Sequence, residues 1–361
     1  SRLPETGGRE VMLLTPGPVA VPPNVLEALA SPVMHHRKPA FRELFADTQR
    51  LLRRAFGGLD REVLVLVSSG SGALDAACAS FIGLGDHVVS LVGGKFSRRF
   101  ADYAQATGAT VERVLHDPRQ ALDLDSLFQP IRGDTKALLL TATETSTGAV
   151  LDLDAICQRV KAYPDLLVMV DGIAWVGTEA IGPWAEQIDV MVCASQKAFA
   201  SSTGLSMVQL SPRAEARLLA HQGYFDLRAI VDAQAQGFVA YSMPNGLLAG
   251  LNAGLRWLLS QGAAPEQMHA RRASLFRKAL SEHGLSTLPL QAANAMSAVL
   301  LNEECNADHI RDEIARVHDF ELAGGQDEWA GRILRVGHMG DVPDDVWPRL
   351  ALAIAETQSG A

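Results

Sequence analysis

Lys197 lies in the segment CASQKAFASSTG (193–204), with no carboxylate within six positions on either side. Such a lysine either projects from a polar loop into water or is buried. Burial without a local counter-charge lowers the pKa of an amine and makes it a nucleophile. Gln196 precedes it, and Asp171 ends the apolar run LLVMVD (166–171), 197 − 171 = 26 residues upstream. A carboxylate at the exit of a buried strand is costly unless it meets a cation or caps a helix. Ser69, Gly70, Ser71 and Gly72 follow VLVLV (63–67). They form an ordinary tight turn or, if a helix starts there, a cluster of N–H and hydroxyl donors suited to a phosphate. Phe96 follows HVVSLV (87–92), and Thr145 sits in TETSTG after KALLLTA (136–142). The phenylalanine is either core or a stacking ring, and the threonine either bonds its own turn or offers a hydroxyl.

The segments that position these residues alternate in type. Besides those named, TVERVL (110–115), DVMVCAS (189–195) and LSMVQLS (205–211) read as strands. Helical patterns lie at 73–84, 97–108, 122–131 and 153–163. Several strands are apolar throughout, as expected when both faces are covered, so the expectation is an α/β fold with a mostly parallel, doubly wound sheet. Ligands of such sheets bind outside the carboxyl ends of the strands, where all of the residues above fall. A phosphate cradle, a stacking ring, a hydroxyl, an aspartate and an amine together suit pyridoxal 5′-phosphate. From about residue 245 the pattern changes to long helices (245–261, 269–284) and then strands near 295–302 and 332–339, with helices around 306–317 and 343–357. The expected division is an N-terminal segment 1–24, a large cofactor domain 25–245, and a linking helix with a smaller C-terminal α+β domain, 246–361.

The chain has 361 residues, 48% hydrophobic, with a net charge of −9. That balance argues against nucleic acid or an anionic membrane surface as a partner. Cys78, Cys157, Cys193 and Cys305 form no paired motif, so neither a metal site nor a disulfide framework is expected, and a reducing cytoplasm fits. No apolar stretch is long enough to span a bilayer. LPETGG, within residues 1–10, matches the sortase recognition motif and is set aside as a processing or cloning remnant.

The segments LLTPGPVAVPPNVLEALA (13–30), HHRKPAFREL (35–44), SSGSGALDAA (68–77), ETSTGAVLDL (144–153), VDGIAWVG (170–177), SQKAFASSTG (195–204) and LRVGHMG (334–340) give the chain a specific resemblance. It resembles the class V, fold-type I pyridoxal-phosphate-dependent aminotransferases, in the alanine–glyoxylate and serine–pyruvate or serine–glyoxylate group. The resemblance implies that Lys197 forms the Schiff base and Asp171 pairs with the ring nitrogen. Ser69, Gly70, Ser71 and Gln196 would hold the phosphate. Phe96 would stack on the ring, Ile173 would pack on one ring face, and Thr145 would bond near the ring hydroxyl. Arg335 would grip the substrate carboxylate. It also implies a homodimer with active sites at the subunit interface, where Ser242 of FVAYSMPNG would reach the neighbour's phosphate. Three departures stand out: phenylalanine at 96 where tryptophan or tyrosine is common, Ser-Ser where Gly-Ser opens the phosphate turn, and no threonine in the Ser242 stretch.

The expected reaction is ping-pong transamination between alanine or serine and glyoxylate or pyruvate. Aspartate, an aminophosphonate or another amine are alternative donors, with His35, His36, Arg37, His338 and Met339 as candidate pocket residues. Other readings are a cysteine desulfurase, a serine hydrolase built on Ser71 in a near-match to a nucleophile elbow, and a cofactor-binding module without turnover.

Overall fold

Alternating residues of each central strand enter two different cores, which is what a sheet covered on both faces requires. Val63, Val65, Leu138, Leu140, Val168 and Val170 face one core, while Leu64, Leu66, Ala137, Leu139, Leu167 and Met169 face the other. The structure is a computed structural model describing residues 11–219 and 223–360, so the LPETGG segment lies outside the described residues.

The strands are β1 (Val63–Leu66), β2 (His87–Val92), β3 (Thr110–Leu115), β4 (Thr135–Thr141), β5 (Leu167–Asp171), β6 (Val190–Ala194) and β7 (Ser206–Leu210). Their order across the sheet is β1-β7-β6-β5-β4-β2-β3. Neighbours from β6 to β3 run parallel, whereas β7 is antiparallel to both β6 and β1. The exception has a simple cause. Residues 195–205 contain no helix, and a parallel crossover needs a longer connection.

Helices Gly70–Phe81 and Lys95–Ala106 follow β1 and β2. Pro39–Ala55, for which the strand and helix patterns above give no element, is a long amphipathic helix that buries Phe41, Phe45, Leu51 and Leu52. Pro23–Leu29 and Leu227–Ala235 are further helices absent from that reading. Helix Asn245–Leu259 packs into the same large core through Leu248, Leu251, Leu255 and Leu258. On it, a Cβ at Gly254 would overlap the Phe199 carbonyl, so this glycine seats the helix directly against the Lys197 loop.

The C-terminal part forms a four-stranded antiparallel sheet of β8 (Ser286–Thr287), β9 (Met296–Leu300), β10 (Ala323–Gly324) and β11 (Ile333–Gly337), in the order β8-β9-β11-β10. Its core gathers Phe276, Ile310, Ile314, Trp347, Leu350 and Ile354. The N-terminal segment contributes to this core: Met12–Leu13 pairs in parallel with Phe320–Glu321, and Leu14 is buried there. From that anchor the chain runs through Thr15-Pro16-Gly17 to the large sheet. No described helix is long and apolar enough to cross a membrane.

Candidate active site

The carboxyl ends of β1, β2, β4, β5 and β6 open on one cavity of about 190 Å³. Its walls include nine residues singled out in the sequence: Ser69, Gly70, Ser71, Phe96, Thr145, Asp171, Ile173, Gln196 and Lys197. Gly17, Leu74, Arg99, Thr143 and Ala174 complete it.

Lys197 is half-buried and opens onto the cavity, and its Nζ donates to the Pro16 carbonyl at 2.7 Å. Burial lowers its pKa from the ordinary 10.5 to about 8; Asp171 opposes that shift and Arg335 adds to it. Asp171 ends β5, buried, with its Oδ1 accepting from the Ile173 N–H at 3.0 Å. Burial raises its carboxyl from 3.8 to about 7, and nearby Glu144 pushes the same way; the Ile173 N–H, Lys197 and Arg99 pull it down. The amine and the carboxyl are therefore each poised near neutrality.

At the first turn of Gly70–Phe81, Ser69 makes no side-chain cap. The Gly72 and Ala73 N–H groups bond to the Ser69 carbonyl, and those of Gly70 and Ser71 have no acceptor among the described residues. Phe96 is set by a carboxylate that the sequence reading passed over. Glu144, buried beside Thr145, accepts from the main-chain N–H groups of Phe96 (3.1 Å) and Ser97 (2.9 Å) and from the hydroxyls of Ser97 and Ser146. A carboxylate at a helix N-terminus satisfies free donors and matches the helix dipole.

Arg335, on β11, stands one residue behind the wall. Its Nε donates to the Gly324 carbonyl at 2.7 Å and Nη1 to that of Thr145 at 3.0 Å, leaving Nη2 with no partner among the described residues. Ser242 is exposed and lies outside its own chain's cavity. His338 and Met339 do not line the cavity, which corrects that expectation. His338 is packed edge-on against Phe276 and Trp347, and burial lowers its pKa to about 3; Met339 belongs to the large core. His35, His36 and Arg37 lie outside the cavity as well.

No cysteine or histidine is among the lining residues. Burial pushes the Cys193 thiol up, and its Sγ faces the Ile173 and Ala194 carbonyls. Ser71 Oγ is bonded by Arg99, so no base activates it.

A sheet of this topology, carrying a lysine and an aspartate on adjacent strand ends beside a helix N-terminus, defines the fold-type I transferases. The class V aminotransferase model matches residues 13–309, and the chain belongs to that family. It is 33% identical to a protein named soluble hydrogenase 42 kDa subunit from Anabaena cylindrica, over 93% of this chain and 90% of the relative. It is 28% identical to the L-aspartate–glyoxylate aminotransferase of Paracoccus denitrificans, over 92% of this chain and 87% of that one. Among solved structures, the subgroup IV aspartate aminotransferase of Thermus thermophilus superposes with a TM-score of 0.88 at 32% identity, covering 97% of this chain and 99% of that chain.

The family's cofactor is pyridoxal 5′-phosphate, and the residues present fit it. Gln196 lines the wall, and its side-chain amide nitrogen is a donor for a phosphate oxygen. Among the described residues Asp171 has a single main-chain donor and no bonded cation, and the amides of Gly70 and Ser71 have no acceptor. Each of these unmet needs matches a group of that cofactor.

Proposed function

We propose that this aminotransferase moves the amino group of a small L-amino acid, alanine or serine, to a small oxo acid such as glyoxylate or pyruvate. The observation that supports the reading best is the placing of Lys197 and Asp171 on neighbouring strands in one cavity, with both groups poised near neutrality. Pyridoxal phosphate, when bound, supplies an aldehyde for amines and a ring that withdraws electrons from the substrate Cα. Asp171 holds a proton at the ring nitrogen, and the cation there restores the aspartate to its ionised form. Lys197, once free as a neutral amine, would take the proton from the substrate Cα as base and, as the resulting acid, would deliver it to the carbon that carried the cofactor's aldehyde. Ser69, Gly70, Ser71 and Gln196 would hold the phosphate, Phe96 would stack on the ring, Ile173 would pack on one ring face, and Thr145 would bond near the ring hydroxyl.

Arg335 receives the substrate carboxylate through Nη1 and Nη2 as a bidentate pair, giving up its bond to the Thr145 carbonyl. A dicarboxylic donor is the second reading, favoured by the aspartate-specific names of two relatives. The protein works in the cytoplasm as a homodimer, with Ser242 reaching the phosphate of the second copy; its exposure outside its own cavity supports this.

Oxo-acid products from alanine, serine and aspartate, each with glyoxylate as acceptor, are the test. Alanine or serine should lead in kcat/KM, and Arg335→Ala should raise KM for every donor by about 100-fold. A tenfold preference for aspartate would overturn the donor assignment. Sulfide and alanine from cysteine in place of transamination would overturn the reaction.

A further inference from the structure

Arg99 lines the cavity, and none of the cofactor roles above uses it. It follows Phe96 by three positions on helix Lys95–Ala106, which puts both side chains on one face. Its guanidinium lies 5.3 Å from the centre of the Phe96 ring. Nη1 donates to Ser71 Oγ at 3.3 Å, the only hydrogen bond the Arg99 side chain makes among the described residues, and it has no ion pair there. Its neighbour Arg98 points outward and pairs with Asp327. A half-buried guanidinium with four of five donors unused is a cation without an anion. Around its single partner lie the free N–H groups of Gly70 and Ser71 at a helix start. Two backbone amides without acceptors, the Ser71 hydroxyl and a guanidinium with four N–H donors to spare, all on residues that line one cavity, match a phosphate dianion.

We propose that Arg99 is a cofactor-binding residue that pairs with the phosphate group of pyridoxal phosphate and, resting on the Phe96 ring, ties the phosphate cradle to the stacking face. The inference rests on the cofactor site proposed above and adds to it a charge partner that the serines and Gln196 do not supply. The same guanidinium could instead meet the distal carboxylate of a dicarboxylic substrate. Its bond to Ser71 at the helix start favours the phosphate.

The test compares full-length chain freed of cofactor, as wild type, Arg99→Gln and Arg99→Lys, titrated with pyridoxal phosphate and with pyridoxal, which lacks the phosphate. Binding is followed by absorbance and tryptophan fluorescence. Arg99→Gln should weaken pyridoxal phosphate by about 10- to 100-fold, the worth of a charge-assisted bond, and pyridoxal by less than about threefold. Arg99→Lys should recover part of the loss, since it keeps the charge without the fork. Equal losses for both aldehydes would make Arg99 merely structural, and unchanged pyridoxal phosphate binding with a raised KM for aspartate alone would move it to the substrate. Either result overturns the proposal. If Arg99→Gln does not fold, the lysine variant decides: a loss confined to the phosphorylated aldehyde supports the pairing, and no loss refutes it. A wild type that binds neither aldehyde would instead sink the cofactor site as a whole.

Discussion

Gly17→Ala probes the closest approach in the site. Gly17 has a φ of +132°, and a Cβ built on it would overlap Cδ, Cε and Nζ of Lys197. The added methyl group brings two effects of different size. Holding an alanine at this backbone angle costs about 1–3 kcal/mol, a shift of about 1–4 °C in melting temperature for a chain of this length. The overlap involves only the end of a flexible side chain, so Lys197 yields by swinging away from the Pro16 carbonyl and adds little to that cost. Function suffers more, because displacing a reacting group by about 1 Å is worth about 100-fold in rate. Stopped-flow capture of pyridoxal phosphate and steady-state kcat should therefore both fall by about 100-fold, while calorimetry shows only a small loss of stability. In a Lys197→Ala background, Gly17→Ala should show the strain cost alone. A Gly17→Ala protein with wild-type capture and turnover would refute the reasoning.

If Lys197 has the role proposed for it, capture of the aldehyde requires its neutral amine, so the rate should rise about tenfold per pH unit below 8 and level off above it; a midpoint near 10.5 would show an ordinary exposed lysine. Linkage sets the matching stability trend in the cofactor-free chain. The lowered folded-state pKa of Lys197 costs stability below about pH 8, a cost that fades as pH rises towards 10.5, while the raised pKa of Asp171 makes stability fall between pH 3.8 and about 7. Denaturant titrations across both windows check the two signs. Glu144→Gln should cost about 2–3 kcal/mol in urea melts, because the charged acceptor for the Phe96 and Ser97 amides is lost. It should also weaken pyridoxal phosphate binding by freeing the Phe96 ring, and unchanged binding would show that Glu144 does no more than cap its helix.

The central strands were legible because burial on both faces leaves mostly apolar runs, and HVVSLV matches its strand residue for residue; TVERVL, the largely exposed edge strand, matches as well through its β-branched residues. The site followed, since each strand hands its next polar residues to the same edge. What stayed hidden depends on contacts between distant segments. The direction of β7 is set by the shortness of the loop before it, and the Pro16 carbonyl meets Lys197 only after the N-terminal segment docks on the small sheet. Arg99 and Glu144 left weaker signals, a three-residue step from Phe96 and a lone carboxylate among hydroxyls. Helix Pro39–Ala55 was readable from a leading proline and from Phe41, Phe45, Thr48 and Leu52 at helical spacing. His338 shows the opposite limit. A histidine beside a site arginine reads as functional until its packing against Trp347 is seen.

Borohydride reduction of the holoprotein, followed by peptide mapping, tests the arrangement most directly. The expected result is one cofactor mass per chain, on the peptide containing Lys197, and none in Lys197→Ala. A mass found on Lys95 or any other lysine, or no covalent product in an active preparation, would contradict it.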